Sequence, residues 1–352
     1  MLKRLTLSYV LIIGVVFTTL AQDIHFSQFY MSPLNLNPAM TGVLNCKNRF
    51  AANYRNQWAG VLGGNAYNTY SLSYDQKNTV GRDDYFGLGG TLWGDVAGET
   101  RYGMIQARVS GSYSKKMFGK RKSASYAVIG ADLGVTQRSI GQGDLRWPSQ
   151  ITTNGFDPTQ AGEVLQDYTR YYPDLSLGLL WFTIKDDNNY WYLGGAVHHL
   201  NAPDISFSGV NASLYRRITV HGGGEFLMTQ SMSVKPFGLF MAQGPHKEFN
   251  GGASLKFLLG NARQSDQSFE LGAYYRLGVQ ASPDPGDNST GLHSDAIIFQ
   301  TKFNSGQASY GFTYDLNISK LASGKTGNGS FEFSVMYQIC GPESRGVYCP
   351  RF

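Results

Sequence analysis

The stretch Tyr310-Gly311-Phe312-Thr313-Tyr314-Asp315-Leu316-Asn317-Ile318-Ser319 alternates without a break: every second residue is apolar, and those between are small or polar. Successive side chains of a strand point to opposite faces, so a period of two describes a strand with one apolar and one polar face. The same pattern recurs where Phe331, Phe333, Val335, Tyr337 and Ile339 alternate with Glu332, Ser334, Met336 and Gln338. It recurs again where Phe269, Leu271, Ala273, Tyr275, Leu277 and Val279 alternate with Glu270, Gly272, Tyr274, Arg276, Gly278 and Gln280. A soluble sandwich also alternates. Here, however, the apolar set places Tyr, Phe or Trp near the segment ends, as the aromatic girdle of a membrane barrel does.

Composition points the same way. Aromatic residues make up 14% of the 352 residues and charged residues only 16%, with 43 Gly, 22 Tyr and 21 Phe. A soluble domain carries roughly 25% charged residues. Mean hydropathy is nonetheless −0.25. After the first 20 residues there is no apolar run approaching the ~20 residues a spanning helix needs. Only helices and closed barrels satisfy every backbone group within lipid, so a barrel is the class that remains.

The N-terminus reads as an export leader. Lys3 and Arg4 precede an uncharged apolar stretch from Leu5 to Leu20, and Thr19-Leu20-Ala21 ends it with small residues at the two positions a signal peptidase reads. This predicts cleavage before Gln22 and no membrane anchor. No cysteine stands at the cut, which excludes a lipoprotein leader. Loss of Lys3 and Arg4 lowers the formal charge of +5 by two, too little to imply nucleic acid as a partner. The organisation expected is a leader at 1–21, an extended N-terminal segment at 22–47, an outer-membrane barrel at 48–341 and a C-terminal tail at 342–352.

About 14 alternating segments follow Asn48, an even number as bacterial barrels require. They begin near Arg49, Tyr67, Tyr85, Tyr102, Ser125, Asp174, Tyr190, Arg216, Met232, Lys247, Phe269, His293, Ser309 and Ser330. If the mature N-terminus is periplasmic, the even-numbered connections are periplasmic and should be short. Those at 185–189, 229–231 and 304–307 are short, while the odd-numbered ones at 141–173, 201–215 and 281–292 are long. Short periplasmic turns and long outer loops are the asymmetry such barrels show. The loop at 141–173 is long enough for a binding role or for a lid over the mouth.

Residues 23–42 alternate little and contain Pro33 and Pro38, whose fixed φ and missing donors exclude a ladder strand and favour a defined extended path. This segment is a candidate plug or docking strap. Its contact residues would be His25, Phe26, Ser27, Gln28, Phe29, Tyr30, Pro33, Asn37, Pro38 and Gly42; the plainer reading is a structural tuck that closes the lumen. Three cysteines in an exported chain permit one disulfide. Cys340 and Cys349, close in sequence, are the candidate pair, with Cys46 left over; spacing alone does not settle the connectivity.

Other features carry less chemistry. Lys115, Lys116, Lys120, Arg121 and Lys122 fall in one expected periplasmic turn, a solvated basic cluster or a contact for an acidic partner. His198 and His199 are adjacent on a strand and so point apart, which argues against a shared metal. Asp284-Pro285-Gly286-Asp287-Asn288 lacks the spacing of a calcium loop and reads as a surface turn. Glu225, Glu270, Arg276, Lys302, Asp315 and Glu332 take the inward parity, as a lumenal ion-pair network or a substrate groove would. No nucleophile elbow, zinc helix or phosphate loop is present, so catalysis and cofactors are not expected.

The run Asp23-Ile24-His25-Phe26-Ser27-Gln28-Phe29-Tyr30-Met31-Ser32-Pro33-Leu34-Asn35-Leu36-Asn37-Pro38-Ala39-Met40-Thr41-Gly42 resembles the opening signature of the PorP/SprF family, outer-membrane proteins of the Bacteroidetes type IX secretion system. The likeness continues through Tyr54-Arg55-Asn56-Gln57-Trp58, Tyr70-Ser71-Leu72-Ser73-Tyr74-Asp75, Asp95-Val96-Ala97-Gly98 and His199-Leu200-Asn201-Ala202-Pro203. It closes on Asp295-Ala296-Ile297 and Tyr310-Gly311-Phe312-Thr313-Tyr314-Asp315. One departure is Gly329-Ser330-Phe331-Glu332, where the family has a Gly-Ser-His-Glu-like run; another is the tail beyond Tyr337. The resemblance implies a non-enzymatic barrel that partners a secreted, adhesin-like surface protein bearing a C-terminal targeting domain and supports its export or surface attachment. It also implies contact with the periplasmic type IX ring or with peptidoglycan-binding components of the secretion and gliding apparatus. A barrel alone would equally allow a passive porin or small-solute channel.

Overall fold

The computed structural model describes residues 23–350 apart from 82, 121–122, 142–144, 154, 163–164, 166–167, 187, 260–266, 282–289, 320–328 and 342–348. The expected leader at 1–21 and the acidic turn at 284–288 therefore lie outside the described residues, as do Arg121, Lys122 and most of the tail.

The alternating segments form the wall of a closed antiparallel barrel. Its strands are β1 (Asn48–Gln57), β2 (Tyr67–Val80), β3 (Asp84–Ala97), β4 (Tyr102–Lys120), β5 (Ser123–Ser139), β8 (Thr169–Asp186), β9 (Asn189–His198), β10 (Arg217–Thr229), β11 (Met232–Gln243), β12 (His246–Leu259), β13 (Gln267–Ala281), β14 (Thr290–Ser305), β15 (Ala308–Asn317) and β16 (Ser330–Ile339). Each pairs with its neighbour in this order, and β16 closes on β1 with Asn48 opposite Ile339. The barrel thus has the 14 strands read from the alternation. A two-stranded hairpin of β6 (Ile151–Thr152) and β7 (Gly155–Phe156) stands in the long fifth connection. The sequence reading missed it, and it also placed Pro173 in that loop; Pro173 lies within β8, opposite Val135.

Parity sorts the wall as lipid and lumen require. Leu72, Val109, Leu179, Phe299 and Phe333 face outward and are more than half exposed, while Arg49, Asp75, Glu225, Lys302, Asp315 and Glu332 face inward and are buried. An outward apolar set in contact with hydrocarbon and an inward polar set is the reverse of a soluble core. Lys115, Lys116 and Lys120 belong to the end of β4 and not to a turn, and Lys116 pairs with Asp83 at 2.8 Å.

The connections at 140–168 and 199–216 emerge at one end of the barrel; those at 81–83, 230–231 and 306–307 emerge at the other. Length asymmetry makes the first end the outer mouth and the second the periplasmic one. The Cys340–Cys349 pairing is corrected here: Cys46 is bonded to Cys340, with Cα atoms 4.2 Å apart across a separation of 294 residues. Barrel closure is the reason. It sets the foot of β1 beside the foot of β16, so the cysteines flanking those strands meet despite their distance in sequence. Cys349 keeps its thiol, buried against Tyr85 with Sγ 3.5 Å from Oη, and its backbone N–H donates to Asn45 Oδ1 at 2.7 Å.

Candidate functional site: a strap threaded through the lumen

Residues 23–46 occupy the barrel interior. They are not extended, as the prolines had implied. Pro33 and Pro38 each stand first in a short helical turn, at Pro33–Leu36 and Pro38–Met40, and another turn covers Phe29–Met31. Proline at the first helical position gives up an N–H that has no intrahelical partner anyway, and its φ already suits the turn. Three tight turns shorten the segment to a compact cord. It still crosses the lumen from one mouth to the other.

Its start lies at the outer mouth, contrary to the premise of a periplasmic N-terminus; only the entry into β1 is periplasmic. The Asp23 backbone N–H donates to Gln243 Oε1 at 3.0 Å, at the outer end of β11. The Asp23 carboxylate meets His199 Nε2, just beyond β9, and lies 3.3 Å from Arg217 at the start of β10. His199 Nδ1 is 2.9 Å from Asp174. Burial opposes the imidazolium, but the two carboxylates outweigh it and hold His199 up at about 9. Asp23 is held well below the usual carboxylate range: burial works against ionisation, and His199 and Arg217 prevail. His25 sits 3.7 Å from Glu248 in the same region. The two histidines do not share a site, since His198 turns to Ser176 and the strap carbonyl of Leu36.

Below this latch the strap engages a buried charged group. The backbone N–H groups of Ser27 and Gln28 donate to the two oxygens of Glu332 at 2.8 and 3.0 Å. The Ser27 hydroxyl donates to Asp315 Oδ2 at 2.7 Å, and Arg55 and Arg276 reach the same oxygen at 3.0 and 2.9 Å. Charge-assisted bonds to backbone donors are about twice as strong as neutral ones, and these fix the register of the strap. Phe29 packs edge-on against Phe237 with ring centroids 4.8 Å apart, and Lys302 lies over the Tyr30 ring.

Asn37 is the central clamp. Its Nδ2 donates to the carbonyls of Leu179 and Gly195 and lies 3.0 Å from His221, while its Oδ1 accepts from Ala39 N at 2.9 Å. Around it the wall is built of inward glycines. A Cβ at Gly130 would stand 2.5 Å from the Pro38 carbonyl oxygen and 2.6 Å from Ala39 N, and one at Gly178 would overlap Asn37 Oδ1. Gly87 abuts Thr41 and Gly42, and Gly311 abuts Gln28, in the same way. Glycine in a strand marks a close backbone approach. Here the approaching backbone is the strap. Near the foot, Gly42 turns with φ +72° and donates to Asp75 at 2.7 Å. Arg49 pairs with Asp75 while donating to the carbonyls of Met40 and Val43, and Lys77 donates to Leu44 O.

Every strap residue singled out from the sequence is thus lumenal: Phe26, Ser27, Gln28, Phe29, Tyr30, Pro33, Asn37, Pro38 and Gly42 are buried, and His25 is half-buried at the outer mouth. Sequence reading missed the wall half of the site, namely Arg49, Asp75, Arg108 and the inward glycines, and it missed the strap residue Asn35, whose Oδ1 accepts from the Arg108 guanidinium. The signal was available. Arg55, Asp75, His199, Gly311 and Asp315 lie in the segments that carry the family resemblance, and glycine at inward parity on a long strand would have marked where the strap lies.

The inward acids and bases form pairs and not an open groove. Lys256 Nζ is 2.8 Å from Glu225 and Lys235 Nζ is 3.2 Å from Glu270, beside a cavity of about 30 Å³ lined by Tyr30, Tyr192, Phe237, Tyr274 and Gln300. That volume accommodates roughly one or two waters. A hollow of about 560 Å³ lies on the lipid side instead, bounded by Phe50, Leu72, Tyr74, Leu92, Val335 and Tyr337 across the β16–β1–β2–β3 wall. Among the described residues no group of three metal-ligating side chains occurs.

Among solved structures, the chain is similar to CdiB from Escherichia coli at 10% identity and a TM-score of 0.48, over 82% of this chain and 63% of that one. The matched part spans just under two-thirds of the length of that structure's chain. It is similar to the Pseudomonas putida toluene transporter TodX at 9% identity and a TM-score of 0.46, covering 90% of this chain and 95% of TodX. A third is Wzi, a carbohydrate-binding outer-membrane β-barrel of Escherichia coli, at 8% identity and a TM-score of 0.32 over 91% and 90%. No curated protein matches the chain. Residues 18–337 match the family described as type IX secretion system membrane protein PorP/SprF. With the match covering the strap and nearly the whole barrel, this outer-membrane chain belongs to the PorP/SprF family of type IX secretion system membrane proteins.

Proposed function

We propose that the protein binds a type IX-secreted, adhesin-like surface protein through that protein's C-terminal targeting domain and supports its secretion or attachment at the cell surface. Family membership over residues 18–337 is the observation that carries this reading. In it, residues 1–21 are a cleaved leader, residues 22–47 and the barrel at 48–341 act as one unit with the tail at 342–352, and the periplasmic ring or peptidoglycan-binding components are further partners. No chemistry is required of the barrel; neither the family nor the fold is an enzymatic type.

A porin is the rival. The strap opposes it, because a cord bonded to the wall on all sides and flanked by cavities of about 20 and 30 Å³ leaves little room for solute passage. Two measurements separate the readings. A mild-detergent pull-down of the tagged protein from its native outer membrane, followed by mass spectrometry, recovers a large secreted protein with a C-terminal targeting domain if the proposal holds. Purified barrel in planar bilayers then shows little conductance. A bare barrel that conducts strongly, under conditions that keep other type IX complexes intact, defeats the proposal.

A further inference from the structure

We propose that the strap is a tether hinged at its periplasmic foot and latched at the outer mouth, so that it is released only toward the cell surface. The hinge rests on cleavage of the leader before Gln22, which leaves Asp23 near a free end, and not on which protein the barrel partners.

The two ends of the strap are held by different chemistry. At the foot, Cys46 is covalently bonded to Cys340, which follows β16 directly, and Lys77 and Arg49 hold the carbonyls of Met40, Val43 and Leu44. Cys349 N–H adds a bond to Asn45. In an oxidising compartment a disulfide persists, so this end does not leave the wall. At the outer mouth the contacts are non-covalent: Asp23 to His199, Arg217 and Gln243, and His25 to Glu248. Asp23, Ile24 and His25 are half-buried, whereas every residue from Phe26 to Leu34 is buried. Solvent therefore reaches this end of the strap first, although the Asp23 and His199 side chains of the latch are themselves buried.

Geometry then sets the direction. A cord bonded at the bottom of a tube and lightly held at the top opens at the top, because withdrawal downward would have to draw the free end past Glu332, Asn37 and the glycine-lined wall. The segment set free would present Phe26, Phe29 and Tyr30 at the outer mouth and uncover Arg55, Arg276, Asp315 and Glu332 to whatever binds there. A partner that exchanges with the strap must therefore act from the cell surface; a periplasmic partner meets the hinge.

The test is site-specific labelling on intact cells with a maleimide too large and polar to cross the outer membrane. Ile24→Cys, Phe29→Cys and Val43→Cys are made in a Cys349→Ser background that retains the Cys46–Cys340 bond, each with and without His199→Gln to weaken the latch. Only variants that keep the compact, heat-modifiable form of a folded barrel on gels are scored. Ile24→Cys is expected to label on intact cells. Phe29→Cys is expected to label severalfold faster once His199→Gln is added, and Val43→Cys to stay unlabelled in both backgrounds. Labelling of Ile24→Cys only after the outer membrane is permeabilised overturns the sidedness. Equal gains at Phe29 and Val43, or no gain at Phe29, overturn the hinge.

Discussion

Replacing Gly130 by alanine adds one methyl group where the wall and strap backbones touch. The new Cβ would lie 2.5 Å from the Pro38 oxygen and 2.6 Å from both Ala39 N and Cα. Carbon atoms rest at about 3.5–4.0 Å, so roughly 1 Å of separation has to be found. The strap cannot yield locally, because Thr41 N–H donates to Pro38 O at 3.2 Å and Ala39 N–H donates to Asn37, which is bonded to two further strands. Overpacking of this kind costs about 1–3 kcal/mol. Alanine also recovers about 0.5–1 kcal/mol relative to a strand glycine, so the clash prevails over most of that range. Gly195→Ala is the control: it faces lipid, its Cβ meets only Thr219 O at 3.6 Å, and it should be neutral or slightly stabilising. A penalty of 1–3 kcal/mol that falls on the strap shifts its seating equilibrium about 5- to 150-fold. Urea unfolding in lipid and bilayer conductance read the two consequences. Gly130→Ala should unfold at lower urea and open more often. If it matches wild type or Gly195→Ala in both assays, the wall glycines are not there to admit the strap.

Glu225→Gln leaves the Lys256 ammonium buried without its carboxylate and should cost about 3–5 kcal/mol by urea unfolding, whereas replacing both residues by apolar ones of similar size should cost far less. Non-reducing peptide mapping should recover Cys46 joined to Cys340; reduction should lower stability by up to about 5 kcal/mol, given how long a loop the bond closes. A map joining Cys340 to Cys349 would contradict the closure of the barrel foot. The latch should depend on pH through His199, whose folded value of about 9 lies above the ordinary 6.5. Its contribution is complete below about 6.5 and is lost as pH rises through 9. Asp23, shifted the other way, contributes above the ordinary carboxylate range and is lost only in strong acid. Labelling of Ile24→Cys, normalised to an exposed cysteine so that thiol ionisation cancels, should therefore accelerate as pH rises through 9, and His199→Gln should abolish that normalised rise.

Much of this molecule is local information. A period of two needs only neighbouring residues to be read, because each side chain's face follows from its position along its own strand. The barrel, its 14 strands and its inward charges were therefore open to inspection. Proline's fixed φ likewise excluded residues 23–42 from the ladder. It did not distinguish an extended path from one of tight turns, since both accept φ near −65°. That choice was made by the lumen, whose glycines leave space for turns at Pro33 and Pro38 and whose Glu332, Asp75 and carbonyls of Leu179 and Gly195, the last two reached by Asn37, fix them.

What only the tertiary structure decided is whatever depends on closure. Cys46 meets Cys340 because β1 pairs with β16, a contact across 294 residues that no spacing rule anticipates. Asp23 lies at the outer mouth because the segment before β1 turns back up through the tube, and nothing within residues 23–46 records that direction. Strand character is written residue by residue; which end of a buried segment faces the cell surface is a property of the closed wall around it, and it emerges only when all 14 strands are in place.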